Sequence, residues 1–259
     1  MLEFFLKFDN VGNDGIFFKE VIHLLGEEII AYDVLDSTNE FMKREWEKLH
    51  DGAVVIALEQ TRGKGRMGRT WISPRGGLWF SVLFKPRKIL DPNFYTKLFS
   101  VSIVQVLNDI GVKVKIKWPN DIYVWNKKLG GILTETILTD DIVKAVIVGV
   151  GLNVNNEIPD EIREKAVSLC ELTNRRWDII PLMRRILSKV WKNINKYRKK
   201  PESLTKVWKG LLTFKEGNSV DIKVEGFTKK AKIVKILPDR LIVELEGEKK
   251  DIFSLEHSY

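Results

Sequence analysis

The sequence predicts an α+β protein, with a mostly antiparallel sheet flanked by helices and a small all-β module at its end. Three observations carry this. Four β-rich runs, around 113–117, 121–126, 129–138 and 142–151, are joined by links too short for βαβ crossovers, so they pair as hairpins. Two stretches, opening at Asp91-Pro92 and at Asp178, place apolar residues at helical spacing. From Gly217 the texture changes to short alternating segments: Val220-Ile222-Val224, then 233–237, 241–245 and 252–255.

Taken in order, residues 17–25 read as a short helix ending at Gly26, and 29–34 as a strand. Ser37-Thr38-Asn39-Glu40 has the form of a capping box, a serine hydroxyl with a glutamate three residues on, and Phe41, Met42, Trp46 and Leu49 continue at helical spacing. A strand over 53–60 leads into 61–77, which is too irregular for either period and reads as a long loop. Residues 78–84 form a strand buried on both faces. The Asp91-Pro92 helix carries Phe94, Leu98, Val101, Val104 and Leu107 and ends at Gly111. The Asp178 helix, with Pro181 in its first turn, runs to about Lys199, and Pro201 marks the break. The terminal module lies at the lower edge of independent stability, so it packs on the main domain. This gives three parts: an extension over 1–28, a main domain over 29–212 and the module over 213–259.

Composition narrows the function classes. A content of 44% hydrophobic and 30% charged residues excludes wholesale disorder. Apolar runs such as Ala145–Leu152 fall short of a bilayer span, and Met1–Phe8 lacks the pattern of a secretory leader. A single cysteine, Cys170, implies a reducing, cytoplasmic setting, and three scattered histidines leave no Cys/His zinc site. The net charge of +8 is local: between Arg184 and Lys209 stand ten Lys or Arg against one acid, Glu202. That is one solvated helix face, not a protein-wide field for nucleic acid.

Four constellations point to chemistry. In Gly63-Lys64-Gly65-Arg66-Met67-Gly68-Arg69-Thr70-Trp71, the glycines match a dinucleotide fingerprint and nearly a P-loop, but no helix starts after it, so both readings fail. What remains is a glycine loop whose backbone N–H groups and cations suit a polyphosphate. Lys117-Trp118-Pro119-Asn120-Asp121 sets an amide and a carboxylate at a strand mouth. Lys128-Leu129-Gly130-Gly131 places a lysine beside paired glycines that leave room for a ligand. Gly149-Val150-Gly151-Leu152-Asn153 gives up β-stability for close approach by something. Turn chemistry alone explains the second and third in isolation.

In combination, with Ser37-Thr38-Asn39 and Gln60, these strings resemble the catalytic domain of biotin protein ligases from about residue 29 to the C-terminus. The resemblance implies a mixed sheet flanked by helices, like that of class II aminoacyl-tRNA synthetases, and an SH3-like C-terminal β-barrel. It implies ATP, Mg2+ and biotin as reactants, a biotin carboxyl carrier protein as partner, and a homodimer. Ser37, Thr38, Asn39, Gln60 and Gly131 would contact biotin, and Lys64, Gly65, Arg66 and Lys128 its carboxylate and the phosphates. Gly63, Gly68, Arg69, Trp71, Lys117, Asn120, Asp121 and Asn153 would contact the adenylate, with Trp71 and Asn153 at adenine and Asp121 on the metal or ribose side. Arg66, Lys128 and Lys64 would carry the catalysis. Lys64 stands where the family often has arginine, which removes a planar fork. About 28 residues precede the matching region, too few for the winged-helix DNA-binding domain of some members, so no specific DNA is expected. A lipoate or octanoate ligase is the nearest rival, and would prefer a long apolar tunnel to this polar corner. A nucleic-acid binder using 184–209 is the rival from another class.

Overall fold

The computed structural model describes residues 16–20, 25, 28–85, 90–224 and 227–253. A central sheet collects β1 (Ile16–Glu20), β2 (Ile29–Leu35), β3 (Val54–Gln60), β4 (Leu78–Phe84), β5 (Lys115–Lys117), β6 (Asp121–Val124), β7 (Lys127–Thr139) and β8 (Ile142–Leu152). Their order is β1-β2-β3-β4-β8-β7-β6-β5. Strands β2 and β3 run parallel, joined through α1 (Thr38–Glu45), and the other neighbours are antiparallel. The expected hairpins are therefore present.

Strand alternation assigns the two faces. Val82 of β4 with Val146, Val148 and Val150 of β8 face the main core, which contains α2 (Pro92–Asp109). After α3 (Leu169–Thr173) come α4 (Ile179–Tyr197) and α5 (Pro201–Gly210), which pack on α2 as a second layer. Leu83, Ala145 and Ile147 point the other way, against Met42 of α1. Continuing that face along β8 brings up Gly149 and Gly151, where the core gives way to a cavity. Beyond the main sheet, β9 (Ser219–Val224), β10 (Phe227–Ile236), β11 (Leu241–Leu245) and β12 (Glu248–Ile252) form a separate antiparallel sheet in the order β12-β11-β10-β9. Its Ile222, Ala231, Ile233 and Val243 join the main apolar cluster, and Trp118 Nε1 donates to Leu237 O at 2.9 Å across the junction. The module does pack on the main domain.

Several expectations change. The segment expected as a helix over 17–25 contains β1, because pairing with β2 (Glu20↔Ile29) overrides a weak local preference; 21–24 and Gly26 lie outside the described residues. Most of the 1–28 extension lies outside them too, as do the Glu225-Gly226 turn and 254–255 of the last expected strand. Among the described residues the terminal sheet is open, with β9 and β12 at its edges, so closure into a barrel is not seen. Ser37 occupies the N-cap position of α1 with extended backbone, yet its side chain makes no cap bond, and Asp178 likewise makes none at α4. The reciprocal capping box stands instead at Ser168 and Glu171, ahead of α3. Helix α5, unforeseen after Pro201, uses that proline in its first turn and buries Leu204 and Trp208.

Candidate active site

The cavity holds about 470 Å3, within the ordinary range for a small-molecule site. Its walls come from the start of α1, the end of β3, the glycine segment, the β6–β7 hairpin, β8 and the segment after it.

The glycine segment is a ribbon, not an irregular loop. Gln60 bridges Ser73, Trp71 N donates to Gly63 O (2.9 Å), Lys64 bridges Thr70, and Gly65 N donates to Arg69 O (2.7 Å). The tip is a 3-10 turn at Arg66–Gly68 with positive φ at Met67 (57°) and Gly68 (74°). A Cβ on Gly63 would lie 2.3 Å from Trp71 O, so no side chain fits there. Gly63 and Gly68 therefore shape the ribbon and do not line the cavity, whereas Lys64, Gly65, Arg66, Arg69 and Trp71 do.

Among the described residues six cations line the space, Lys64, Arg66, Arg69, Lys117, Lys128 and Lys165, against one carboxylate, Asp121. Asp121 is already paired with Lys128 at 2.8 Å, and Lys64 with Glu40 at 3.0 Å. Arg66 donates to Asn120 Oδ1 at 3.3 Å, while Asn120 Nδ2 donates to Ile132 O at 2.5 Å, so the amide ties the ribbon to β7. Burial pulls the Arg66 guanidinium below its ordinary value, against the opposing pull of Asp121. Burial also lowers Lys117 to about 8, with Asp121 opposing and Lys128 adding. Such stacked, partly desolvated cations are costly unless an anion arrives. The Trp118 indole of the same string points away, into the junction with the terminal sheet.

The cavity also has a hydrogen-bonded corner at the start of α1. Thr38 donates its backbone N–H (2.9 Å) and hydroxyl (3.2 Å) to Gln60 Oε1, and Gln60 Nε2 donates to Ser73 Oγ (2.8 Å). Asn39 reaches Ser81, Leu133 and Glu135. With no cap bond to make, the Ser37 side chain lines the cavity.

The glycines of β8 do meet close neighbours, but these are the protein's own side chains. A Cβ on Gly149 would lie 2.3 Å from Asn39 Oδ1, and one on Gly151 2.6 Å from Trp71 Nε1. At Gly131 the approach is looser, a Cβ standing 3.0 Å from Asp121 Oδ1 and in ordinary contact with Lys128 and Trp71. The Trp71 ring has Lys128 Nζ 4.9 Å from its centroid, and its buried Nε1 has no hydrogen-bond partner among the described residues. Asn153 lines the cavity too, although its amide also serves the fold, donating to Val167 O (3.3 Å) and accepting from Asn156 (3.2 Å). Sequence reasoning missed Ser81, Glu135, Lys165 and the apolar wall of Ile158 and Ile162. The period-2 pattern flags apolar positions but does not say which of them border a void.

For a divalent metal the fit is poor. Among the described residues no group of three His, Cys, Asp or Glu stands together, and Asp121 would have to leave Lys128 to ligate one.

Residues 31–153 match the model of the biotin/lipoate A/B protein ligase family. The bifunctional ligase/repressor BirA of Bacillus subtilis is 37% identical over 171 residues, 63% of this chain and 53% of its own length. The biotin--[acetyl-CoA-carboxylase] ligase of Paracoccus denitrificans is 32% identical over 122 residues, 46% of this chain and 51% of its own. The chain thus matches about half the length of these curated relatives. Against the solved biotin protein ligase of Aquifex aeolicus in complex with biotin and ATP, the fold agrees with a TM-score of 0.74 and 32% identity. That agreement covers 89% of this chain and 97% of the other. A fold shared almost end to end, built around a cavity that holds the expected motifs, leaves one conclusion: the chain belongs to the biotin/lipoate A/B protein ligase family.

Proposed function

We propose that the protein is an ATP-dependent biotin protein ligase, joining biotin to a lysine of a carboxyl carrier protein through biotinyl-adenylate. The observation that carries this is the cavity's lining: among the described residues, six cations against one acid, together with a hydrogen-bonding corner built by Thr38, Asn39 and Gln60. An acid with a polar, uncharged head suits that lining; a lipoyl chain brings the corner no donor or acceptor of its own.

In the first half-reaction the biotin carboxylate attacks the α-phosphorus and pyrophosphate leaves. Arg66, Lys64 and Lys128 oppose the negative charge that grows there. Lys64 comes to the substrate from Glu40, and Lys128 from Asp121, so each exchanges one carboxylate for another anion. Magnesium, held by the triphosphate and not by a protein cage, would supply further charge neutralisation. Trp71 would cover the adenine, and the Gly63–Trp71 ribbon would keep water from the mixed anhydride. A deprotonated carrier lysine then attacks the acyl carbon, the amide forms, and AMP leaves with the bonding electrons. The terminal four-stranded sheet would be the SH3-like module, and a homodimer in a cytoplasmic setting follows from the same reading.

The test is the mass of a carrier domain after incubation with the protein, MgATP and either biotin or lipoate. A gain of one biotinyl group with biotin alone is expected. Lipoylation without biotinylation, or an unchanged carrier, contradicts the proposal.

A further inference from the structure

We infer that Glu135 is a positioning residue for the ligand head group: acting through Asn39 and Ser81, it makes the Thr38 hydroxyl a hydrogen-bond acceptor toward the cavity, an inference that rests on the biotin reading. Glu135 lies on β7, far in sequence from each corner residue. Asn39 is 3% exposed, and its amide nitrogen faces two acceptors, Glu135 Oε2 at 2.8 Å and Leu133 O at 3.4 Å. Turning the amide over would set its oxygen against both, so the carboxylate fixes its orientation.

The consequences run along the chain of hydroxyls. The Asn39 amide oxygen is left facing Ser81 Oγ at 2.5 Å and takes the single Ser81 proton. Toward Thr38 Oγ1, 2.7 Å away, Ser81 then offers only a lone pair. The Thr38 proton has two destinations, Ser81 Oγ and Gln60 Oε1 at 3.2 Å, both inside the protein. Gln60 cannot turn over to offer a proton instead, because its Oε1 accepts the Thr38 backbone N–H at 2.9 Å. With its proton committed inward, Thr38 Oγ1 presents lone pairs to the cavity it lines. That selects a ligand N–H, such as a ring N–H of a cyclic urea.

The charge on Glu135 is matched locally. Lys43 Nζ bridges Glu135 Oε1 (2.5 Å) and Glu40 Oε1 (2.8 Å), and Glu40 also holds Lys64 of the ribbon. These bonds place the Glu40 carboxyl below its usual range, the Lys43 hydrogen bond being the largest cause. The carboxylate that orients Asn39 is thus kept from being an uncompensated charge.

The experiment compares wild type, Glu135→Ala, Glu135→Gln and Ser81→Ala by pyrophosphate release, varying biotin and ATP in turn. Glu135→Ala is expected to raise the biotin KM about 10- to 100-fold and to leave the ATP KM within about threefold. Glu135→Gln, whose amide oxygen can still accept from Asn39, recovers most of that loss. Both variants lose the ion pair with Lys43, so a merely structural role impairs both alike, and that result overturns the inference. Ser81→Ala removes the next link and keeps the test decisive if Glu135→Ala fails to fold: a raised biotin KM with the ATP KM unchanged is expected, and an unchanged biotin KM, with Gln60 Oε1 alone holding the Thr38 proton inward, overturns the relay. A biotin analogue methylated on both ureido nitrogens should be rejected by wild type and poorly discriminated by Glu135→Ala. Equal shifts in both KM values refute the positioning role. A wild-type protein that turns over no biotin refutes the substrate reading itself, and does so before any variant is compared.

Discussion

Alanine at Gly149 and at Gly151 should damage the use of two different substrates, although the residues are neighbours on one face of β8. A Cβ at 149 would stand 2.3 Å from Asn39 Oδ1 and 2.9 Å from its Cγ; one at 151 would stand 2.6 Å from Trp71 Nε1 and 2.7 Å from its Cε2. Ordinary contact needs about 3.5 Å, so each partner must retreat by roughly 1 Å. The strand cannot retreat instead, because Gly149 is paired with both Ser81 and Leu133, and Gly151 with Trp79 and Gly131. Overpacking of this kind costs about 1–3 kcal/mol, or roughly 5- to 150-fold in an affinity. Asn39 is buried and bonded on both sides of its amide, so Gly149→Ala belongs near the upper end, with Tm lower by roughly 5 °C or more. Trp71 sits half-exposed on the ribbon and can give way, so Gly151→Ala belongs near the lower end with little change in Tm. Initial rates of pyrophosphate release, with one substrate varied and the other saturating, separate the cases. Gly149→Ala should raise the biotin KM and Gly151→Ala the ATP KM. If both variants shift the same KM, or neither shifts any, the division of the cavity into two stations is wrong.

Four further outcomes are expected. Arg66→Ala should slow adenylate formation about 100- to 1000-fold in a biotin-dependent pyrophosphate exchange assay, since one preorganised cation is lost from a partly desolvated site. Lys117, lowered to about 8 by burial, loses its charge as pH rises through that value, so the ATP KM should climb above pH 8 and the climb should vanish in Lys117→Arg. Because the unfolded lysine keeps its proton up to its ordinary 10.5, folding releases protons in that window and stability should rise between pH 8 and 10.5, a slope that a Lys117→Met melt series removes. Ser168→Ala should cost about 1 kcal/mol in urea unfolding with unchanged KM values, whereas Ser37→Ala, which loses no cap bond, should keep its stability and raise the biotin KM.

The residues that touch the cavity were largely legible in the sequence because they cluster in short strings whose chemistry is unusual. Three glycines among cations between Gly63 and Arg69, and alternating glycines in an apolar strand, have few structural excuses. The residues that orient them were not legible. Ser81 is an ordinary polar residue in a strand buried on both faces, and Glu135 follows a run of β-formers; only the pairing of β4 and β7 with β8, and of α1 above them, brings both to Asn39. The same limit explains Ser37. Local spacing predicts a helix cap, but cavity lining and capping draw on the same residue types, and the pattern cannot choose between them. It also explains β1, whose strand state comes from its partner β2, and the ribbon at 61–77, whose order comes from bonds between its own two sides. The close approach expected at Gly149 and Gly151 is real, but the chain itself makes it: these positions seat Asn39 and Trp71.

The most direct measurement of the central claim is a crystal structure of the protein grown with biotin and ATP. Density for one continuous adenylate is expected in this cavity, its bicyclic head against Thr38 and Asn39, its phosphate among Arg66, Lys64 and Lys128, and its adenine beside Trp71. A head group lodged at the cationic end, or ligand density outside the space between the ribbon and the α1 corner, would contradict the account.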